Sequence, residues 1–347
     1  MYRTEDRQLS SRVEGLDGLR ALAALMVLVS HSKLGSSSWG AAGVWLFFIL
    51  SGYLLGPSLL ANPTIKFFQS TVAFYIKRFF RIIPTYYAAV FLYSIFIWPD
   101  DHVFFDHVVF KEAFRLFWSD KTELFFYLFL PIIILPLMLS KSINYQVMIL
   151  FFLFFITYYL FEKNSFFEIT AFQKNSNMRL YFLPFIIGII LSFIPKVNHD
   201  NYSQIAWFLS LFGLFFLCQD FSFLSDFREF IGIPTERVAW INRMPVYILC
   251  AFLIYLSANN KNWLLNNQVV VSIGKSGYSF YLWHTFVLVM LRRNGVPDGL
   301  LLFVAGLFCT AIIAYFSYRH IEIPTQIMGN RIATIIMPAI HGQKNNK

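Results

Sequence analysis

Arg20 and His31 stand eleven residues apart in the apolar run RALAALMVLVSH. At about 100° per residue this spacing comes to about 20° past three helical turns, so a helix would carry both side chains on one face, roughly 16 Å apart along its axis. Such a helix would hold a fixed cation towards one end and a proton-transfer group towards the other. Imidazole titrates near working pH, which suits it to act as a general base. In a membrane helix a guanidinium at the bilayer centre costs about 2.5 kcal/mol or more, and residues of this kind normally face a pathway or a partner instead of lipid. The plainer alternative is that Arg20 reaches the headgroups and His31 marks the helix end. Asp17, three residues before Arg20, is spaced to pair with it. It lies about four turns from His31 and cannot orient that ring.

Other polar groups interrupt apolar stretches. Glu123, in FWSDKTELFFYLFLP, opens an apolar run and is assigned to the same outer layer as His31. His284 lies in SGYSFYLWHTFV, where Gly277, Tyr281, His284 and Leu288 share one helical face. A histidine there is either functional or part of a helix-to-helix hydrogen bond. In FYIKRFFRIIPTYY, Arg78 and Arg81 are three residues apart, with Lys77 beside them and Pro84 following. This reads as the start of a helix on the cytoplasmic side, where paired guanidinia and the free N–H groups of a first turn would grip a phosphate, or as an ordinary cationic anchor. Ser51 and Gly52, in FFILSGYLL, permit a close helix approach or a local break. Cys218, Cys250 and Cys309 fall in apolar runs with no CxxC or Cys/His cluster, so neither a disulfide framework nor a metal site is expected.

The elements that must position these groups are membrane helices. Of 347 residues 57% are hydrophobic, 20% aromatic and 14% charged, against about 25% charged in a soluble domain. Runs of spanning length recur at about 15–33, 41–60, 80–98, 122–139, 145–162, 179–195, 204–220, 244–258, 277–293 and 299–319. The expected fold is an all-α integral membrane protein, a bundle of about ten transmembrane helices. An even number of spans puts both termini on one side. Arg3, Arg7, Arg12, Lys66, Lys77, Arg78, Arg81, Arg319 and Arg331 fall on that side, whereas the opposite loops are near neutral. Both termini are therefore expected in the cytoplasm, with the chain in the inner (plasma) membrane. Anionic lipid beside these cations accounts for the net charge of +9, with no nucleic-acid partner.

Arg3, Arg7 and Arg12 ahead of an apolar run imitate a secretory signal, but Arg20 opens that run and a second span follows at once, so it is kept as the first helix. There is no long linker and no convincing internal repeat. The expected organisation is a cytoplasmic segment 1–14, a transmembrane domain 15–324 and a cytoplasmic tail 325–347. The longer outer loops, about 99–121 and 221–243, are polar and aromatic, and FDHVVFKEAFRLFW is amphipathic enough to lie on the membrane surface.

The order of these runs resembles the membrane-bound acyltransferase 3 family of glycan O-acetyltransferases. GLDGLRALAALMVLVSH holds the family's Arg-x10-His signature as Arg20 and His31. GVWLFFILSGYLL, FYIKRFFRIIPTYY, FWSDKTELFFYLFLP, RLYFLPFIIG, SGYSFYLWH and SYRHIEIP follow in family order over about residues 15–324. The family's Trp-Ser-Leu-x-x-Glu is kept at Trp118, Ser119 and Glu123, with Asp120 in place of the Leu. The resemblance implies transfer of an acyl group, usually acetyl, from cytoplasmic acyl-CoA to an extracytoplasmic glycan: O-antigen lipopolysaccharide, an exopolysaccharide or a lipid-linked sugar. Acyl-CoA is then a substrate, and no tightly bound cofactor is expected.

By the same resemblance His31, Arg20, Glu123 and His284 are expected to be catalytic, and Arg78, Arg81 and Lys77 to bind acyl-CoA. Asp17, Ser51, Trp118, Arg179 and Tyr281 are expected to support the site or bind the acceptor. Some members carry a fused SGNH-type domain that is not seen here, so a partner completing the transfer would come from another gene. His31 would take the proton of the acceptor hydroxyl, Glu123 would orient His31 or bind sugar hydroxyls, and Tyr281 and His284 would donate to the oxyanion or the acceptor. An acyl-histidine relay is the rival route. A secondary transporter or glycan carrier would use the same buried Arg, His and Glu, usually in two related halves.

Overall fold

The computed structural model describes residues 13–61, 66–97, 101–108, 117–140, 142–163, 168–170, 177–179, 182–195, 202–218 and 244–336. In chain order the helices are α1 Glu14–His31, α2 Ser37–Leu60, α3 Phe67–Phe96, α4 Asp101–Val108, α5 Phe117–Leu139 and α6 Ile143–Thr157, the last running into a π-helical turn, Tyr158–Lys163. A small antiparallel hairpin follows, β1 Glu168–Thr170 with β2 Asn177–Arg179, in the register Glu168 to Arg179. Then come α7 Leu183–Ser192, α8 Ser203–Cys218, α9 Met244–Asn259, α10 Gln268–Lys275, α11 Gly277–Arg293 and α12 Leu300–Ser317. A second π-helical turn, Tyr318–Glu322, joins α12 to α13 Ile323–Ile336.

Each of the ten apolar runs contains a helix, and among the described residues five helices are long and apolar enough to cross a membrane: Ser37–Leu60, Phe67–Phe96, Phe117–Leu139, Ile143–Leu160 and the continuous Leu300–Ile336. The rest fall short for physical reasons. α1 carries Glu14, Asp17 and Arg20, and α7, α8, α9 and α11 have 10, 16, 16 and 17 residues, where about 20 are needed to span a hydrocarbon core. The expected start of the third helix also moves. α3 begins at Phe67, so Arg78 and Arg81 lie well inside it and Pro84 is an interior proline, which membrane helices tolerate because neighbouring groups satisfy the freed carbonyl. The expected tail from residue 325 begins inside α13. Of the two long outer loops, 221–243 lies outside the described residues.

The chain divides into two compact units. One comprises residues 1–53 and 187–314. α1 is its central helix: Leu16, Asp17, Leu19, Ala21, Ala23, Ala24, Met26, Val27 and Leu28 are all buried. Water does not drive helices together inside a bilayer, so close association depends on small residues that let backbones touch. A Cβ on Gly274 of α10 would fall 1.7 Å from the Asp17 carbonyl oxygen, one on Gly18 would fall 2.3 Å from the Leu265 carbonyl oxygen, and one on Gly43 of α2 would fall 2.6 Å from the Ala23 carbonyl oxygen. The turn that delivers Leu265 is built by Asn262, whose side-chain oxygen accepts from the amides of Leu264 and Leu265 at 3.0 and 3.2 Å. Asn267 then caps α10 by accepting from Val269 N–H at 2.9 Å. Ala24 and Leu28 of α1 pack with Phe280 and Leu288 of α11 and Leu302 and Ala314 of α12 as one apolar cluster.

The other unit comprises residues 54–186 and 315–347. α5 runs antiparallel to α3. The Tyr75 hydroxyl donates to the Leu128 carbonyl at 2.9 Å, while further along α3 the rings of Tyr86 and Tyr93 lie 5.2 and 5.4 Å from that of Phe117. Phe126 stacks on Phe185 at 4.0 Å. α13 presses on α3 at Gly329, where a Cβ would come within 2.6 Å of Phe80 Cβ.

Candidate functional site

The polar side chains singled out by sequence gather into two groups, one in each unit. In the first, α11 meets α1 at both ends of the Arg20–His31 stretch. Gly277 approaches Arg20, a Cβ there lying 3.5 Å from Arg20 Cβ, and His284 reaches His31. Arg20 donates to Asp17, the pair that their spacing predicts. Asp17 is 1% exposed, and its second carboxylate oxygen has no hydrogen-bond partner among the described residues. The cation is therefore anchored inside the protein beside its counter-ion, and α1 does not turn it to lipid.

His31 and His284 form the chemically informative contact. His31 Nδ1 lies 2.8 Å from His284 Nε2, and the rings stack at 5.0 Å with an interplanar angle of 19°. His284 is 1% exposed, and its Nδ1 is hydrogen-bonded to the Tyr281 carbonyl oxygen. A carbonyl only accepts, so that nitrogen carries the proton, and in a neutral ring Nε2 keeps the lone pair. His31 Nδ1–H must then be the donor between the rings, which puts the lone pair of a neutral His31 on Nε2, its basic nitrogen. Thr285 Oγ1, 3.0 Å from His284 Nε2 and 3.5 Å from His31 Nδ1, can stand in this chain without changing the assignment. Both nitrogens of His284 are thus engaged, and the neutral ring has no spare N–H for an oxyanion. Tyr281 lies beside it, ring centroids 5.4 Å apart.

The second group lies between α3, α5 and the π-helical turn. The Arg78 guanidinium sits 5.7 Å from the ring centres of both Phe74 and Tyr127, and its buried Nε has no hydrogen-bond partner among the described residues. The Tyr127 hydroxyl donates to Glu123, one turn away on α5, and Glu123 is within electrostatic reach of both Arg78 and Arg81. This corrects the sequence-based picture of arginines at a helix start with Glu123 in a separate layer. The apolar run starts later than the helix does, and the antiparallel packing of α3 and α5 carries Glu123 to the arginines. No first-turn N–H groups are available at Arg78, because α3 starts at Phe67. Lys77, the residue before Arg78 on α3, is exposed and lies within electrostatic reach of Arg78.

Glu322, in SYRHIEIP, is a residue that its local sequence does not single out for a site. The structure buries it to 1% exposure, and it is the foremost anion acting on Arg81. Gln326 Nε2 donates to its Oε1 at 2.9 Å. An acidic residue beside a long apolar helix was the available signal. Its inward direction depends on the π-helical turn, which changes the angular register of α13. Among the remaining candidates, Ser51 is half-buried in α2, where α7 approaches closely enough that a Cβ on Gly188 would fall 2.0 Å from the Ile49 carbonyl oxygen. The Trp118 carbonyl accepts from Thr122 at 2.9 Å. Arg179 ends β2 opposite Glu168.

An acyltransferase-domain family model, that of acyltransferase 3, matches residues 13–319. A Staphylococcus aureus (strain COL) protein named as an O-acetyltransferase is 27% identical, covering 90% of this chain and 57% of its own length. O-acetyltransferase OatA of Staphylococcus aureus (strain NCTC 8325 / PS 47) is 25% identical, covering 95% of this chain and 59% of its own length. The chain spans a little over half the length of these curated relatives. No solved structure matches it.

Proposed function

Since this chain belongs to the acyltransferase 3 family, we propose that it is a membrane O-acyltransferase. It moves an acyl group, acetyl in the first instance, from cytoplasmic acyl-CoA to a hydroxyl of an extracytoplasmic glycan or lipid-linked sugar. The observation that carries the chemistry is the contact between His31 and His284, which leaves one imidazole nitrogen basic and holds the other. His31 Nε2 takes the acceptor's hydroxyl proton as its oxygen attacks the thioester carbonyl carbon. The carbon–sulfur bond then breaks, and the departing CoA thiolate recovers the proton from the His31 imidazolium. The positive charge formed in between rests on His31, whose Nδ1–H donates to the neutral His284 throughout.

Arg78 and Arg81 take the phosphates of the donor. Two guanidinia with a buried, unpaired Nε on Arg78 suit a polyanion, and Glu322 and Glu123 keep the pair from standing uncompensated before the donor binds. Arg20, neutralised by Asp17, serves as a fixed dipole beside α11. The setting proposed is the inner membrane with about ten crossings and both termini cytoplasmic, supported by the ten helices under the apolar runs and by the cationic segments that flank them.

The test is transfer of label from acetyl-CoA by the full chain in detergent, with free CoA measured as the second product. His31→Ala should abolish CoA release while the protein stays folded, and deleting the gene should remove an acetyl mass from the cell-surface glycan. Substrate counterflow in proteoliposomes, with no turnover of acetyl-CoA, would instead make the chain a carrier.

A further inference from the structure

His31 is the last residue of α1, and the last carbonyls of any helix lack partners within it. Ser32 N–H donates to the Leu28 carbonyl at 2.9 Å, Lys33 N–H to Ser30 at 3.1 Å and Leu34 N–H to Val29 at 3.1 Å. The last two bonds form a Schellman turn. Its left-handed position is held by Lys33, at φ 59°, a place where glycine is usual and any other residue is strained. The carbonyls of His31 and Ser32 remain. One is satisfied from the last turn of α11 and the other from the α11–α12 connection: Arg292 Nη2 donates to the His31 carbonyl at 2.6 Å, and Gly299 N–H donates to the Ser32 carbonyl at 2.8 Å.

One carboxylate ties the arrangement together. Asp298 accepts from Arg292 Nε at 2.7 Å on one oxygen, and its other oxygen lies 2.7 Å from Lys33 Nζ. The backbone that presents Asp298 is set by Gly295 at φ 84° and Gly299 at φ 102°, conformations that L side chains rarely adopt. Arg292 and His284 are eight residues apart on α11, about 12 Å along it. The same helix therefore grips His31 twice, at its ring through His284 and at its carbonyl through Arg292. An ion pair on a protein surface adds little stability by itself, so geometry is what this one provides.

We infer that Arg292 and Asp298 are positioning residues for His31, a clamp that fixes the end of α1 so that the His31 ring meets His284. The inference rests on the proposal that His31 is the base. Misplacing a reacting group by about 1 Å can cost up to 100-fold in rate, so Arg292→Ala should lower kcat for acetyl-CoA turnover by ten- to a hundredfold. The KM for acetyl-CoA should stay within twofold, and Arg292→Lys should restore part of kcat. Asp298→Asn, an isosteric change at a half-exposed side chain that leaves the fold intact, should lower kcat in the same direction by a smaller factor.

The experiment uses the full chain in detergent, with melting temperature recorded for every variant and His31→Ala run alongside. Inactive His31→Ala with parental kcat in both Arg292→Ala and Asp298→Asn overturns the clamp and leaves the base standing. An active His31→Ala overturns the base, and the clamp with it. A rise in KM with kcat unchanged in Arg292→Ala also overturns the clamp, since it would place Arg292 among the donor's ligands.

Discussion

Replacing His284 with phenylalanine isolates the hydrogen bond behind the proposed base. Phenylalanine keeps a flat ring in a site that is 1% exposed, so packing changes little, but it removes the Nε2 that accepts from His31 Nδ1–H at 2.8 Å. In the ground state both rings are neutral and the bond is an ordinary one. When His31 takes a proton the same bond becomes charge-assisted, worth about 1.5–3 kcal/mol against about 1 for a neutral bond. Phenylalanine removes both, so the transition state loses the difference, about 0.5–2 kcal/mol, which corresponds to roughly a 2- to 30-fold fall in kcat. The donor's KM should be unchanged, because the polar contacts described for His284 are with His31, Thr285 and the backbone of Tyr281 and Phe280. Single-turnover release of CoA from labelled acetyl-CoA, with melting temperature as the folding control, measures it. A kcat within twofold of the parent in a folded His284→Phe protein would refute the orienting role.

Arg78→Ala combined with Arg81→Ala should raise the KM for acetyl-CoA at least tenfold with the protein still folded, and unchanged donor affinity would return both residues to membrane anchoring. Gly274→Ala puts a methyl group 1.7 Å from the Asp17 carbonyl oxygen, where about 3.5 Å is comfortable. Because the neighbour is backbone, α10 must move away from α1, at a cost of about 1–3 kcal/mol visible as a lower melting temperature. Hydrogen bonds from Lys33 and Arg292 hold the Asp298 carboxyl below its ordinary range. A depressed carboxylate stabilises the fold fully above its unfolded value near about pH 4, and that contribution fades as pH falls through the lower folded value. Melting temperatures measured from neutral pH to below about pH 4 should show an acid-side loss in the parent that is smaller in Asp298→Asn.

Features governed by neighbours within a turn or two were legible in the sequence. All ten apolar runs contain helices, and the Asp17–Arg20 pair follows from spacing alone. Glu123 and Tyr127 are likewise one turn apart. Helix periodicity and short-range pairing are properties of a repeat of about 3.6 residues, so no knowledge of the fold is needed to find them. Helix starts were less legible, because Gln69, Ser70, Lys77 and Arg78 dilute the apolar signal over the first half of α3 although the backbone there is helical. The family's motifs name side chains without saying which of them touch.

Only the tertiary structure decided those partnerships. His31 and His284 are separated by 253 residues, and their contact follows from α11 lying along α1, with Gly277 leaving room for Arg20 at one end. Glu322 reaches Arg81 through a π-helical turn, and Glu123 reaches the arginines because α3 and α5 pack antiparallel. The physical reason is common to these cases. A side chain's direction on its own helix is set by local geometry, whereas the group it meets is set by how closely and at what register two backbones can approach. Along α1 that approach is governed by bare glycine surfaces at Gly274 and Gly277, whose partners Asp17 and Arg20 lie far away in sequence.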